Sequence, residues 1–595
     1  MNDKKIKKIP YGLANYGRLI QQNNYYVDKT MYLKTIETSA DYLFFIRPRR
    51  FGKSLLLSVM EAYYDVYYKD RFEELFKGTW IYNNPTEERG VYLVLKLNFS
   101  MVDPALDRVE SSFLTHVRGR ALSFLRKYSD YLTADREYVK KNIQQSLSCS
   151  DILSMISDLC KDSHQKSYAI IDEYDNFTNT ILSTVGEGAY GDLTHGEGFF
   201  KSFFNVLKGG TDGMEAPFTR LFLTGVSPVT LDDVTSGFNI GENISLDAAF
   251  NRMLGFTDTD VREMLSYYQS VGLIKHDREY LMKIIASWYG NYLFSKHADP
   301  GERMYNSDMV LYFLKEYFKT QSLPDELIDR NVRIDYGKLR HLIIVDKGKT
   351  KTPTPNGNFS KLKEIIENGG TSSKIVKGFP LEELVDTNNF VSLLFYFGLL
   401  TIERPEEDKI KLEIPNETIK RLYYEYIKKG YRETDVFDLD LAKYSDLMSE
   451  MAYDGKWEPL FDYIASRMRE SMSLRDLITG EKSIQAFLNV YLGLSNLYII
   501  HAEKELNKGF ADIAMEAFLA RYEGIKYSYL LEIKYLKADE KPPPSKIQKL
   551  KAAARKQLKT YSIDKKFKKN LEKTILIKLV LIFSGHELVY RGQVD

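Results

Sequence analysis

Tyr42-Leu-Phe-Phe-Ile46 runs into Arg47-Pro-Arg-Arg-Phe-Gly-Lys-Ser54, and that into Leu55-Leu-Leu-Ser-Val-Met60. An apolar β-prone run, a basic loop ending in Gly-Lys-Ser and an apolar helical run follow one another in the order a phosphate-binding loop needs. Backbone N–H groups at the turn and helix N-terminus can cradle phosphates, Lys53 can reach the β- and γ-phosphates, and the Ser54 hydroxyl can ligate Mg²⁺. Arg49, Arg50, Phe51 and Gly52 complete the expected cofactor-binding loop. One position departs from G-x-x-x-x-G-K-[ST]: Arg47 replaces the first Gly, and Pro48 stiffens the loop. Gly-Lys-Ser alone is a common loop sequence, so nucleotide binding needs an independent second element.

Tyr168-Ala-Ile-Ile-Asp-Glu-Tyr-Asp175 supplies it: a short β-prone run ends in the adjacent carboxylates Asp172 and Glu173. This is the Walker B arrangement, in which Asp172 holds Mg²⁺ and Glu173 orients or deprotonates the attacking water. In isolation the octapeptide reads as a strand entering a solvated acidic turn; Lys53 upstream favours the catalytic reading. A third run, Arg220-Leu-Phe-Leu-Thr-Gly-Val-Ser-Pro228, ends in hydroxyls, and Thr224 and Ser227 are candidates to sense the γ-phosphate. Strand-end Thr and Ser are more often plain turn residues.

Tyr25-Tyr-Val-Asp-Lys-Thr30, the Arg47–Ser54 loop, Ile171-Asp-Glu-Tyr-Asp175 and Leu223-Thr-Gly-Val-Ser227 together resemble the bacterial AAA-ATPase-like family. In that family the Arg-Pro-Arg-Arg-Phe-Gly-Lys-Ser form of the loop is usual, so Arg47 no longer counts against nucleotide binding. The resemblance covers roughly the first half of the chain and implies ATP as the nucleotide; no guanine-reading Asn-Lys-x-Asp stands in a suitable place. Whether Arg47, Arg49 and Arg50 act on phosphate within their own subunit or reach a neighbouring one stays open. Members commonly carry a C-terminal domain similar to PD-(D/E)XK nucleases.

Near the C-terminus, Tyr498–Glu503, Gly509–Met515 and Tyr527–Lys534 read as three short strands. A helix over Ile484–Leu494 precedes them, and a helix over Ser545–Tyr561 and a strand over Ile575–Phe583 follow. Helix, three strands, helix, strand is the order the PD-(D/E)XK resemblance needs, with Gly509-Phe-Ala-Asp512 and Glu532-Ile-Lys534 in the motif positions. Asp512 and Glu532 can share a divalent cation. Lys534, two residues on and so on the same strand face, can orient water or stabilise developing charge. The expected catalytic residues are thus Glu173, Asp512, Glu532 and Lys534, and the expected metal ligands Ser54, Asp172, Asp512 and Glu532. Glu481 or Glu503 is a further candidate for the metal shell, and Gln557 with Tyr561 matches the Gln-x-x-x-Tyr that often follows in the family. Oxygen ligands favour Mg²⁺ or Mn²⁺ over softer metals. Glu-x-Lys alone is common and elsewhere is a cross-strand ion pair; the ordered set of four residues carries the reading.

The bulk numbers bound the rest. A chain of 595 residues exceeds one core, and at about 100–200 residues per domain it holds about three to five units. With 44% hydrophobic and 28% charged residues it reads as globular rather than disordered. The basic start Met1–Lys8 has no apolar h-region after it, and no apolar run reaches about 18 residues, so neither secretion nor membrane spanning is expected. Two cysteines, Cys149 and Cys160, are too few for a disulfide framework, and the eight His form no metal pair; the expected compartment is the cytoplasm. The net charge of +1 is neutral towards nucleic acid, but between Lys541 and Lys578 roughly a dozen Lys and Arg face only Asp564 and Glu572. That bias can track a phosphate backbone, though charge runs more often mark a solvated helix face. DNA is the expected partner, and oligomeric state is not encoded in a motif.

The expected architecture is an α/β multidomain protein: a P-loop NTPase parallel sheet over 1–255, a helical lid-like domain over 256–345, a small winged-helix-like module over 346–430, a helical linker over 431–475 and a PD-(D/E)XK-like αβββαβ domain over 476–595. Arg252, at the first junction, reads as an interdomain ion pair before it reads as a nucleotide contact. Acidic Glu383, Asp386, Glu403, Glu406 and Glu407 disfavour a DNA face on the winged module. The expected function is ATP hydrolysis joined to metal-dependent phosphodiester cleavage. The alternative is a nucleotide-dependent switch or binding protein whose nuclease-like domain is silent.

Overall fold

The computed structural model describes residues 6–594 apart from 134, 185–197, 209–217, 230–240, 333–344, 347–353, 356, 434–436, 472–477, 479, 507–508, 520, 538–542, 565–566, 569–570 and 572. The chain forms two compact units, Met1–His341 with Ser372–Glu417, and Leu342–Thr371 with Thr418–Asp595. The glycine-rich stretches 186–198 and 209–213 lie outside the described residues except for Gly198.

The first unit is built on a five-stranded, wholly parallel sheet of β1 (Tyr42–Ile46), β2 (Leu93–Asn98), β3 (Ser167–Asp172), β4 (Arg220–Gly225) and β5 (Glu242–Asn243), in the order β2-β3-β4-β1-β5. Every residue of β1, β3 and β4 is buried, which is why these strands read as continuous apolar runs rather than alternating ones. Burying side chains such as Phe222 or Leu223 stabilises the sheet by about 1.5–3 kcal/mol each. Helices α1 (Lys53–Tyr64), α2 (Val109–Lys127), α3 (Cys149–Asp162), α4 (Asn176–Thr184) and α5 (Phe199–Lys208) belong to this layer. The register pairs Ile46 with Gly225 and Phe45 with Thr224, so the C-terminal ends of β1, β3 and β4 form one edge.

Helices α6 (Asp258–Ser270), α7 (Arg278–Tyr289) and α8 (Ser307–Thr320) follow. Thr257 caps α6 in a capping box with Asp260. Arg252 pairs with Glu302 at 3.2 Å on the surface. Farther on, α9 (Thr387–Tyr396) leads to β6 (Thr401–Pro405) and β7 (Ile410–Glu413), which pair antiparallel.

In the second unit, helices α10 (Glu417–Glu433), α11 (Leu441–Asp454), α12 (Glu458–Glu470) and α13 (Glu481–Leu492) precede a mixed sheet. Its strands are β8 (Tyr498–Leu506), β9 (Gly509–Ala517), β10 (Tyr527–Leu536), β11 (Ile575–Ser584) and β12 (Glu587–Val594), with α14 (Pro544–Ser562) between β10 and β11. β8, β9 and β10 pair antiparallel, β10 and β11 parallel, and β11 and β12 antiparallel. This is the expected αβββαβ order with one strand added. The extra strand β12 was not expected because its residues are mostly half-exposed and show no apolar run; the two-residue turn Gly585-His586, with Gly585 at φ +57°, makes it. Ala514 and Leu530 of the sheet pack against Ala554, Leu558 and Tyr561 of α14 in a continuous core.

Candidate functional site

The turn from β1 into α1 passes through two left-handed residues, Arg50 at φ +68° and Gly52 at φ +100°. Gly52 is the N-cap of α1, and no side chain caps that helix. Its first N–H groups therefore keep the anion-accepting character of a helix N-terminus. Lys53 is buried, and its ammonium donates to the Arg47 and Pro48 carbonyl oxygens at 2.9 and 3.0 Å, holding it under the loop. Burial pulls its pKa down to about 8, against the opposing pull of Glu173, Asp172 and Asp175.

Asp172 closes β3, and its Oδ1 is buried without a hydrogen-bond partner. An orphaned carboxylate oxygen is costly unless something else satisfies it, and an oxygen-seeking cation fits it. Glu173 follows at φ +50°, accepts from Asn176 Nδ2 at 2.7 Å, and has its pKa raised by burial and by Asp172. Asp175, to which the sequence reading gave no role, fastens this corner. Its Oδ2 accepts the Val226 and Ser227 backbone N–H groups at 3.0 and 2.5 Å, and that of Asn179 Nδ2 at 2.9 Å. Gly225 must be glycine there, since a Cβ would lie 2.3 Å from the Tyr174 ring. The Thr224 hydroxyl donates to the Phe45 carbonyl at 2.7 Å, so its hydrogen is engaged within the sheet. The Ser227 backbone is held by Asp175 and by the Tyr174 hydroxyl.

The three loop arginines differ. Arg47 is buried, donates to the Ile46, Ser245 and Phe250 carbonyls, and lies 4.3 and 4.4 Å from the Phe45 and Phe294 ring centroids. Burial lowers its pKa to about 9. It is a structural cation, out of reach of a neighbouring subunit. Arg50 pairs with Asp308 at 2.9 Å, and Phe51 packs edge-on against Tyr292 and Phe294. Pro48 abuts Gly398, where a Cβ would come within 2.8 Å.

A cavity of about 440 Å³ lies over the loop, within the size range of small-molecule sites. Arg49, Arg50, Gly52, Lys53, Ser54 and Glu173 line its polar side, and Leu13, Tyr25, Tyr26, Met253, Leu254 and Phe256 its apolar side. Lys29 ties the N-terminal wall to α6 through Asp260 at 2.7 Å. The apolar wall is legible in the sequence only in part: Tyr25–Thr30 is one of the stretches that carry the family resemblance, but nothing in the sequence brings Met253–Phe256 to it.

The second site lies where β9 and β10 part. Their ladder runs through Ile513 and Leu531, and beyond it Asp512 Oδ2 accepts the Ile533 backbone N–H at 2.6 Å. The side chain thus takes over a backbone donor at the fork. Gln485 of α13 donates from Nε2 to both the Asp512 carbonyl and Oδ1 at 3.1 Å. Sequence reasoning missed Gln485; a polar residue within the apolar helix Ile484–Leu492 was the available signal. Glu532 is almost completely buried, its Oε1 accepts from Lys534 Nζ at 2.8 Å, and its Oε2 has no partner. Burial and then Asp512 push its pKa up to about 7, with Lys534 opposing. Burial lowers the Lys534 pKa, but Glu532 and Asp512 outweigh it and leave the ammonium raised.

Glu481, at the start of α13, lies 3.7 Å from Lys534 Nζ. The side chain of Glu503 lies outside the described residues. Tyr561 is hydrogen-bonded to Gln557, and its pKa is raised by burial and by Glu532. Among the described residues no group of three or more His, Cys, Asp and Glu is arranged to hold a metal. The second site offers instead two carboxylates, one with an unsatisfied buried oxygen, beside a lysine. That donor set fits a hard divalent cation that keeps water ligands.

Residues 10–235 match the family described as predicted AAA-ATPase, and residues 479–592 match the PD-(D/E)XK nuclease superfamily. The chain is 28% identical over 328 residues to an uncharacterized protein in the vnfD 5' region of Azotobacter chroococcum mcd 1, covering 53% of each. It thus spans about half the length of that curated relative. A solved structure of the Aeropyrum pernix ORC2 protein, in ADPNP–ADP complexes, is similar at 12% identity and TM-score 0.25, over 67% of this chain and 92% of that one. Among the described residues no helix is long and apolar enough to cross a membrane.

Proposed function

We propose that this chain, which carries an AAA-ATPase-like domain and a PD-(D/E)XK superfamily domain, hydrolyses ATP at the first site and cleaves nucleic-acid phosphodiesters, DNA foremost, at the second. At the first, the N-terminus of α1 and Lys53 receive the phosphates, Lys53 exchanging the Arg47 and Pro48 carbonyls for phosphate oxygens. Ser54 and Asp172 would hold Mg²⁺, which when bound neutralises charge across the β- and γ-phosphates. Glu173, whose raised pKa makes it a better base than an exposed carboxylate, accepts the proton of the attacking water. The apolar wall from Leu13 to Phe256 takes the base, and Arg49 faces the phosphates.

At the second site Asp512 and Glu532 would hold Mg²⁺ or Mn²⁺, which when bound supplies an acidified water and polarises the phosphoryl oxygen. Lys534 stays cationic and donates towards the charge that develops on phosphate. The observation that carries this reading is Glu532 Oε2, buried without a partner beside Asp512. The alternative, a nucleotide-driven switch with a silent C-terminal docking domain, is favoured by one observation: both Asp512 oxygens already accept protein hydrogen bonds. Labelled DNA and RNA incubated with Mg²⁺ or Mn²⁺, with and without ATP, test the choice. Cleavage that disappears in Asp512→Ala supports the nuclease; ATP hydrolysis dependent on Lys53 with no cleavage by wild type supports the switch.

A further inference from the structure

We infer that Asn176 is a positioning residue for Glu173, its amide holding one carboxylate oxygen so that the other is presented to the water that attacks the γ-phosphate. This rests on the reading of the first site as an ATPase and adds a residue to its machinery. Asn176 Nδ2 donates to Glu173 Oε2 at 2.7 Å, and both residues line the cavity over the loop. Among the described residues no other side chain is hydrogen-bonded to Glu173, and its Oε1 accepts no protein hydrogen bond. Other polar groups at the strand ends are engaged elsewhere. The Thr224 hydroxyl donates to Phe45, and Asn98, level with Asp172 in the β2–β3 register, accepts from Ser100.

Glu173 needs such a restraint. Its backbone is left-handed, at φ +50°, a conformation that a residue with a Cβ keeps only where surrounding contacts impose it. The charges around its side chain pull in different directions: Asp172 and Asp175 repel the carboxylate, whereas Lys53 and Arg49 attract it. A carboxylate left to those forces swings towards Lys53 and pairs with the cation that receives phosphate. Asn176, in contrast, sits on a fixed turn at the start of α4. Its backbone N–H donates to the Glu173 carbonyl at 3.0 Å, and its own carbonyl accepts from the Thr180 hydroxyl at 2.9 Å. Its neighbour Asp175 is anchored to Val226, Ser227 and Asn179. An ionised carboxylate only accepts, so the side chain that holds it must be a donor; a second acceptor of the same shape cannot replace it.

Two substitutions in the full chain separate positioning from a place in the fold. Asn176→Asp keeps the shape, removes the donor and suits the first turn of a helix, where an acidic side chain is favourable. A purely structural Asn176 tolerates that change, whereas a positioning Asn176 does not. Asn176→Asp is expected to keep the melting temperature of wild type and to lower kcat for ATP about 10- to 100-fold. Asn176→Ala is expected to lose kcat to a similar extent while its affinity for a fluorescent ATP analogue stays that of wild type. In a Glu173→Gln background Asn176→Ala should leave the single-turnover rate unchanged, because the carboxylate it places is gone; independent losses would multiply. Wild-type turnover in Asn176→Asp, a loss that multiplies with Glu173→Gln, or a loss confined to nucleotide affinity overturns the positioning role alone. No ATP hydrolysis by wild type overturns the ATPase reading with it.

Discussion

Lys534 Nζ donates to Glu532 Oε1 at 2.8 Å across a single intervening residue of β10. The pair shares one face of one strand, and the other oxygen of that carboxylate has no protein partner. Burial and Asp512 raise its pKa from the ordinary 4.5 to about 7 despite the lysine. A raised carboxylate favours the folded state when protonated, so its stabilising contribution is complete below about 4.5 and lost as pH rises through about 7. The anion that binds a cation appears over the same window. Mn²⁺ affinity by calorimetry is expected to climb from pH 5.5 to pH 8 in wild type, and the Mn²⁺-induced rise in melting temperature with it. Glu532→Gln should abolish both rises; a pH-independent affinity in wild type would remove Glu532 from the metal site.

Gln485 fixes Asp512 through two hydrogen bonds from one amide. Groups that orient metal ligands typically matter by about 10–100-fold in affinity. Gln485→Ala is expected to raise the metal concentration for half-maximal cleavage by that factor while the rate at saturating metal changes less. An unchanged metal requirement would show that Asp512 is placed by Ile533 alone.

Replacing Glu173 separates binding from chemistry at the first site. Glu173→Gln is expected to bind ATP as wild type does and to hydrolyse it about 10²–10⁴-fold more slowly. Lys53→Ala should lose binding itself, measured with a fluorescent ATP analogue. Equal hydrolysis by Glu173→Gln and wild type would move the base role elsewhere.

Arg47 separates stability from nucleotide contact. Its guanidinium satisfies three backbone carbonyls and lies against two rings, so Arg47→Met leaves those carbonyls bare. A loss of about 2–4 kcal/mol is expected in the unfolding transition of the first unit. Arg47→Lys should recover little, because an ammonium has neither the fork nor the flat face. A stable Arg47→Met that hydrolyses ATP normally would contradict the structural role.

By itself the sequence determined the buried strands, because local patterns write them directly, whereas half-exposed β12 left no such pattern. Tyr42–Ile46 could be read to the residue since a strand buried on both faces is apolar throughout, and the Glu532-Ile-Lys534 spacing fixed a shared face because side chains alternate. Gly52 announced a turn only glycine makes cheaply. Tertiary structure decided what each polar group meets. Three arginines in four residues look alike in one dimension, yet Arg47 is a buried brace and Arg50 pairs with Asp308, because their partners, Phe294 and Asp308, lie some 250 positions away. Asp175 and Gln485 were invisible as site residues for the same reason: a hydrogen bond acts over about 3 Å, and neighbours at that range are set by packing rather than by order along the chain.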